Sequence, residues 1–270
     1  MTQRIILSGV GFVIALCALP PVARSQPDLI VDQESLRQHW VVRVEDLPAT
    51  FCSVVEGEIT PGERTLLRFT VSTPNNGNAD LVVGDPNLRP DLFELATCHN
   101  HHHLKNYALY ELVDANTGQV WKAAKRGFCM IDIEKYKDHS GGAVPDNQPH
   151  FRSCGLIGVP GNQGISLGWS DVYIWKLGGQ YFVLDGGDNQ PVVPPGDYLI
   201  RITVNPPYPR RGGDPCVNRD ANGMCHTLPE SNYDNNVAEV RITIPPHPGR
   251  QGVGPLKNQP AITSEPIDGN

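Results

Sequence analysis

The sequence predicts an all-β fold, an antiparallel β-sandwich with long disulfide-bonded loops and little helix. Three observations support this fold class. Apolar and polar residues alternate along several short segments, turn sequences such as TPNNGN, DANTG and PPGD separate those segments, and long helical patterns are missing. Many short strands without helical partners are typical of antiparallel sandwiches.

Period-two alternation is clearest in three segments, LLRFTVS (66–72), YLIRITVN (198–205) and VAEVRITI (237–244). Every second side chain in them is apolar, which is the pattern of a strand with one buried face. Shorter candidate strands are WVVRV, ADLVV, YALYELV, FCMIDI and YFVLD. Two polar, glycine-rich loops that contain cysteine, residues 134–168 and 206–235, interrupt the strands, and loops of this length are usually functional or cross-linked.

The first 25 residues predict a signal peptide. Arg4 gives a positive start, residues 5–19 an apolar stretch, and the ARS sequence at 23–25 a small-x-small cleavage site. The apolar stretch is interrupted and short for a membrane span, so we favour cleavage over a retained anchor. We therefore expect a secreted protein, extracellular or periplasmic, with no membrane contact after cleavage. Behind residues 1–25 we expect one main domain over residues 26–245 and a flexible Pro/Gly-rich tail over residues 246–270.

The charge of the chain bears on its partners. Loss of Arg4 and Arg24 with a leader that holds no acidic residue takes the formal net charge from −7 to −9. An acidic secreted protein is a poor candidate for binding nucleic acid. The charge weakly favours cationic partners such as amines.

The cysteine count predicts three disulfides. Of seven cysteines, Cys17 lies in the leader, and six remain in the exported chain. An even number of cysteines in an exported protein predicts complete pairing. Proximity favours Cys216 with Cys225, and the residues alone leave the other pairs open.

The stretch TCHNHHHLKNYALYEL, residues 97–112, holds four of the nine histidines. On a strand, alternate side chains share one face, so His99, His101 and His103 are expected together and His102 away from them. Three imidazoles on one face predict a metal site, although imidazole suits Zn, Cu, Fe and Ni alike. A zinc hydrolase and a copper oxidase are both open at this point, and a solvated polar strand is the structural alternative.

The neighbouring motifs resemble those of the lysyl oxidase family. The segment from CHNHHH through VDANTGQVWKAAKRGFC is similar to the family's copper-binding region followed by its cofactor lysine, and GWSDVY is similar to the segment that ends in its cofactor tyrosine. GDYLIRITVNP and ESNYDNNVAEVRI resemble the family's last strands, and the resemblance covers roughly residues 27–245. The residues that match the cofactor pair are Lys125 and Tyr173.

This resemblance implies a catalytic domain that acts as a copper amine oxidase. Its ligands for copper would be His99, His101 and His103, and its cofactor lysine tyrosylquinone, formed from Lys125 and Tyr173. Such enzymes use O2 to convert primary amines, peptidyl lysine or small alkyl amines, to aldehydes, ammonia and hydrogen peroxide. For the base that removes the substrate proton, our hypothesis is Asp171, which shares a strand face with Tyr173.

Two other functions compete with this one. A non-catalytic secreted copper-binding sandwich would need only the histidines. A zinc hydrolase would need a base beside the metal, and no H-E-x-x-H or similar signature is present. The oligomeric state is not predicted.

The resemblance also implies a calcium site and two disulfides. The family's cysteine pairing maps onto Cys98 with Cys154, which leaves Cys129 for Cys52. Oxygen-rich ligands suit calcium, and Asn232 stands where the family pattern has an acid. The expected calcium ligands are Asp28, Leu29 through its carbonyl, Glu230, Asn232, Asn235 and Asn236.

Overall fold

The computed structural model describes residues 25–57, 59–125, 127–144, 148–210, 216 and 218–266. The fold in these ranges is all-β, as the sequence predicts, with sixteen strands and two short α-helices. The predicted signal peptide, except for its last residue, lies outside the described residues. None of the described helices has the length and hydropathy needed to cross a membrane.

The elements in chain order are α1 (Gln33–Gln38), β1 (Trp40–Leu47), α2 (Cys52–Gly57), β2 (Gly62–Phe69), β3 (Val71–Pro74), β4 (Leu81–Gly84), a 3-10 helix (Pro86–Leu88), β5 (Phe93–Ala96), β6 (His101–Leu104), β7 (Ala108–Asp114), β8 (Val120–Lys122), β9 (Glu134–Lys135), β10 (Gln163–Ile165), β11 (Trp169–Tyr173), β12 (Tyr181–Val183), β13 (Gly196–Val204), β14 (Asn218–Arg219), β15 (Cys225–His226) and β16 (Val237–Ile244).

A four-stranded antiparallel sheet of order β16-β13-β7-β8 forms one layer. Ile200 of β13 pairs with Val240 of β16 on one side and with Leu112 of β7 on the other, and all three side chains are buried. The alternation seen in the sequence therefore sets the register, because a shift by one residue would turn this apolar row to solvent.

The facing layer contains two three-stranded sheets, β1-β2-β12 and β3-β11-β9. Phe69 at the end of β2 joins the layers, since its ring stacks on Phe182 at 4.9 Å and meets Tyr110 of β7 edge-on at 5.4 Å. Strand β11 pairs with β3, with Tyr173 opposite Val71. Tyr173 is thereby fixed on a central strand of the sandwich.

One expected strand, FCMIDI at 128–133, is wrong as a ladder strand. Phe128 forms a single bridge with Leu104 of β6, and the following backbone groups bond to loops. Asp132 N–H, for example, donates to the carbonyl of Phe151. The segment is extended but serves as a connection between the histidine strand and the long loops.

The segment after residue 245, for which the sequence predicts a loose conformation, lies along β1 as far as it is described. Val42 and Val253 exchange two backbone hydrogen bonds of 2.9 Å. Arg43 Nη1 donates to the carbonyl of Gln259 at 2.8 Å, and the carboxylate of Glu265 accepts from Ser53 N–H in α2 at 3.2 Å. These contacts attach the segment to the sandwich.

The disulfides correct two of the expected pairings. Cys216 pairs with Cys225 as predicted, but the other bonds join Cys52 to Cys98 and Cys129 to Cys154, so the expected pairs Cys98–Cys154 and Cys52–Cys129 are wrong. The packing of loops on the sandwich explains both. Glu56 of α2 accepts from Cys98 N–H, so α2 sits over the turn before β6. Gln163 bonds to Met130 N–H and to the Cys154 carbonyl, which places Cys154 beside the residue that follows Cys129.

A buried carboxylate holds the long loop that precedes β10. Asp132 is 2% exposed and accepts from the backbone N–H groups of His150, Phe151 and Ser166 and from the Ser166 hydroxyl, at 2.6–3.0 Å. Because Phe151 and Ser166 are buried with it, their donors have no replacement partner if the carboxylate is lost.

We therefore expect the Asp132→Ala change to lower the free energy of unfolding by about 3 kcal/mol, the loss of charged hydrogen bonds together with unpaired buried donors. Urea denaturation followed by circular dichroism measures it. Asp91→Ala, which removes an exposed partner of Arg89, serves as control and should leave the midpoint almost unchanged. Equal midpoints for all three proteins would contradict the role of Asp132.

Candidate functional site

Three histidine rings meet at the start of β6, although not along one strand. The strand begins at His101, and Asn100 before it has a left-handed backbone with φ of 55°, so His99 is delivered by a turn. The ring centroids are nevertheless 5.8 Å apart for His99 and His101, 5.5 Å for His99 and His103, and 4.8 Å for His101 and His103. His102 points away, as expected, with Nδ1 at 3.3 Å from the Gly155 carbonyl.

The donor set suits a metal ion that binds imidazole. His101 Nε2 and His103 Nε2 face each other at 3.1 Å, and both side chains are 5% exposed. Two nitrogens at about this separation can share one ion at a typical metal–nitrogen distance of about 2 Å. Burial, helped by the positive charge of Lys125, lowers the pKa of His103 to about 2, which keeps the ring neutral as a ligand must be.

Glu56 orients the third ring and was not found from the sequence. Its Oε2 lies 2.8 Å from His99 Nδ1, and its Oε1 accepts from Cys98 N–H at 2.8 Å. The contact at Nδ1 leaves Nε2 of His99 as the ligand atom, an arrangement common around protein metals. Glu56 stands in α2, 43 residues before the histidine, and no local motif connects the two.

Among the described residues, one close group of ligand atoms joins His99 with Glu265 and Cys52, all within 4.8 Å of one another. The Cys52 sulfur is bonded to Cys98 and cannot act as a thiolate ligand. The short distances among these three residues therefore show that α2 and the C-terminal segment pack closely around His99. It does not form a second metal site.

The structure brings Lys125 and Tyr173 together. Lys125 Nζ lies 4.9 Å from the centroid of the Tyr173 ring. That ring is 1% exposed, its hydroxyl donates to the Cys129 carbonyl at 2.9 Å, and Phe128 packs edge-on against it at 5.3 Å. The tyrosine is thus held rigidly, with the lysine amine beside its face.

Two glycines allow the approach of the lysine segment. Gly179 has φ of +69°, and a Cβ there would lie 2.9 Å from the Cα of Lys125. A Cβ on Gly127 would lie 1.9 Å from Nδ1 of His103. No other residue type fits either position without displacing a predicted site residue.

The lysine and the histidines share one cavity of about 20 Å³. Its walls include Glu56, His99, His103 and Lys125. A volume of this size holds about one water-sized group. The cavity can therefore hold a small ligand beside the histidines but not the carbon chain of an amine.

Asp171 lies in the same interior as Tyr173. It is 1% exposed and, two residues earlier on β11, points to the same side of the strand. Burial first, and then the charge of Asp171, raise the pKa of Tyr107 well above its usual range. The carboxyl group therefore belongs to the set of buried polar groups around the Tyr173 ring.

The residues expected to bind calcium form a cluster at the edge of the sandwich, to which Asn232 contributes a backbone hydrogen bond to Asp28 but not its side chain. Oδ1 atoms of Asp28, Asn235 and Asn236 are buried without a hydrogen-bond partner among the described residues. Glu230 accepts from Leu29 N–H at 2.6 Å, and burial raises its pKa to about 8.

Unpaired buried oxygens and a carboxyl group desolvated beside them are the environment that a hard cation relieves. Asn232 is exposed instead, and its Oδ1 accepts from Asp234 N–H at 3.0 Å, in its own turn.

Comparison with known proteins identifies the family. A family model described as lysyl oxidase matches residues 48–214. The chain belongs to the lysyl oxidase family. The resemblance inferred from the histidine, lysine and tyrosine motifs is confirmed.

Several relatives align with most of the chain. Lysyl oxidase homolog 2 of Mus musculus is 27% identical over 231 residues, 81% of this chain and 24% of the relative. Lysyl oxidase homolog 2 of Gallus gallus is 28% identical over the same length. Protein-lysine 6-oxidase of Rattus norvegicus is 28% identical over 234 residues, 82% of this chain and 47% of the relative. The chain spans about a quarter to a half of the length of these lysyl oxidase relatives.

The contact between Glu56 and His99 leads to a prediction about metal affinity in this lysyl oxidase-family chain. Glu56→Gln should weaken copper binding by about 10- to 100-fold, because the ring of His99 loses the carboxylate that orients it. Competition with a coloured chelator at fixed pH measures the dissociation constant. Glu94→Gln removes an exposed acid opposite His103 on β5 and should leave the constant unchanged. Equal affinities for both variants would contradict the role of Glu56.

The calcium site stays a prediction with a direct test. Calcium at about 100 times its dissociation constant should stabilise the protein by about 2.7 kcal/mol. Thermal unfolding with calcium or with a chelator measures the difference. Asp28→Asn should abolish the response. Asp234→Asn, at an exposed position in the turn that carries Asn235 and Asn236, should keep it. A melting temperature that does not respond to calcium in the unmodified protein would argue against the site.

Proposed function

We propose that the chain is a secreted copper amine oxidase that oxidises primary amines, small alkyl amines or peptidyl lysine, to aldehydes with release of ammonia and hydrogen peroxide. The observation that carries the proposal is the 4.9 Å separation between Lys125 Nζ and the Tyr173 ring in a member of the lysyl oxidase family. A copper-binding module without catalysis has no need for this contact.

The copper ion would be held by His99, His101 and His103. When bound, copper supplies the one-electron chemistry with O2 that zinc lacks, and lysine tyrosylquinone supplies an electron acceptor that ordinary side chains do not provide. Glu56 keeps the ring of His99 in place, and burial keeps His103 in its neutral form. The donor set and its support are therefore consistent with copper.

Lys125 and Tyr173 would be the two halves of the quinone. The Tyr173 hydroxyl is fixed by the Cys129 carbonyl, and Phe128 blocks one direction of ring motion. Lys125 is the more mobile partner, since its side chain is half-buried and lies on a loop after β8. Cross-linking would then need movement of the lysine side chain and little movement of the tyrosine.

Asp171 would act as the base toward the substrate. Its side chain shares the buried face of β11 with Tyr173, two residues away on the same strand. Burial shields the carboxyl group from bulk water, as a base in an enclosed site requires. Export to an oxidising compartment agrees with the three disulfides.

The cross-link is the decisive experiment. After loading with copper in the presence of O2, proteolysis and mass spectrometry should reveal one peptide that joins residues around 125 and 173, and the protein should release peroxide from n-butylamine. Lys125→Arg and Tyr173→Phe should each remove the joined peptide and reduce peroxide to background. Tyr136→Phe, on the loop after β9, should change neither.

The two measurements together separate the two candidate functions. Bound copper without a joined peptide and without peroxide would refute the oxidase and leave the copper-binding module. A joined peptide with peroxide from n-butylamine but not from lysyl peptides would restrict the substrate to small amines.

A further inference from the structure

A second cavity lies on the other side of Lys125, between β7 and the loop that follows β8. Its volume is about 200 Å³, and its walls include Leu109, Tyr110, Ala123 and Phe128. Tyr110, Ala123 and Phe128 are buried, whereas Leu109 is half-buried and stands at the opening. The cavity therefore has buried side chains on one wall and partly exposed ones on another.

The volumes decide which cavity can hold an amine. The cavity beside the histidines measures about 20 Å³ and has room for about one water-sized group. The second cavity measures about 200 Å³ and has room for on the order of ten. Only the second is large enough for a carbon chain.

The second cavity also reaches Lys125, one member of the proposed cofactor pair. Lys125 forms part of the walls of both cavities, and its Nζ lies 5.7 Å from the Phe128 ring. Phe128 in turn packs edge-on against Tyr173 at 5.3 Å and against Tyr110 at 5.3 Å. A molecule seated against Tyr110 and Phe128 thus lies beside Lys125 and one aromatic ring away from Tyr173.

The lining sets the chemistry of the ligand. Apart from Lys125 and Lys122, which is exposed on β8, the described side chains that line the cavity are apolar or aromatic. No carboxylate is among the described lining residues to receive a second ammonium group. The side chains of Leu109, Tyr110 and Phe128 favour contact with a hydrocarbon tail, and the charge of Lys122 disfavours a second positive charge beside it.

We propose that this cavity binds the tail of a small primary monoamine, with an uncharged aliphatic or aromatic tail of up to about ten non-hydrogen atoms. The proposal rests on the proposed oxidase function and names its substrate class. Diamines and lysine in basic peptides would be poorer substrates, because their second charge meets Lys122.

The test compares amines that differ in tail length. In the mature enzyme, kcat/KM for n-hexylamine divided by that for methylamine should fall at least about tenfold in Leu109→Trp, because the indole fills the space of the tail. Val120→Trp adds the same ring to exposed β8 outside the cavity and should preserve the ratio. Lys122→Gln should raise the rate of 1,6-diaminohexane relative to n-hexylamine.

A binding measurement keeps this test independent of turnover. Copper-free protein should bind 1-pentanol, an uncharged mimic of the tail, in calorimetric titration, and Leu109→Trp should lose this binding while its unfolding midpoint stays close to that of Val120→Trp. If Leu109→Trp loses pentanol binding and the unmodified protein releases no peroxide from any amine, the oxidase is refuted and the cavity is retained as a binding site. Unchanged selectivity and unchanged pentanol binding in Leu109→Trp would overturn the inference.

Discussion

The site depends on how one short segment, residues 127–129, is held between two strands. The carbonyl of Phe128 accepts from Leu104 N–H of the histidine strand at 2.7 Å, and the carbonyl of the next residue, Cys129, accepts from the Tyr173 hydroxyl at 2.9 Å. Two successive carbonyl groups thus fix the distance between the histidines and the tyrosine. Lys125 lies just before the segment and is carried with it, so the three groups have one common support.

This support explains the division of space around the lysine. Gly127 brings the segment against His103, which leaves a small cavity on the histidine side, while a larger cavity lined by the Phe128 ring lies toward β7. A metal ion and a hydrocarbon chain have opposite requirements for solvation. Lys125 lines both cavities, so each ligand can lie beside the lysine in a space of its own.

Much of the fold was predictable because the strands bury one face. The alternation in β13 and β16 predicts both their existence and their register, and spacing together with family resemblance points to His101, His103, Lys125 and Tyr173. Glu56 was not predictable, since its contact with His99 depends on where α2 packs. The same packing decided the disulfides. Loops that approach each other only in three dimensions carry no periodic signal, and the bonds between them were assigned incorrectly for that reason.

The corrected disulfides link the chemistry of the site to the place where the chain folds. Cys52–Cys98 secures the turn that presents His99, and Cys129–Cys154 secures the residue whose carbonyl orients Tyr173. In a reducing cytosol neither bond persists, and both the ligand and the ring lose a restraint at the same time. Thiol oxidation therefore has to come before metal loading, and a recombinant preparation made in a reducing host requires oxidative refolding first.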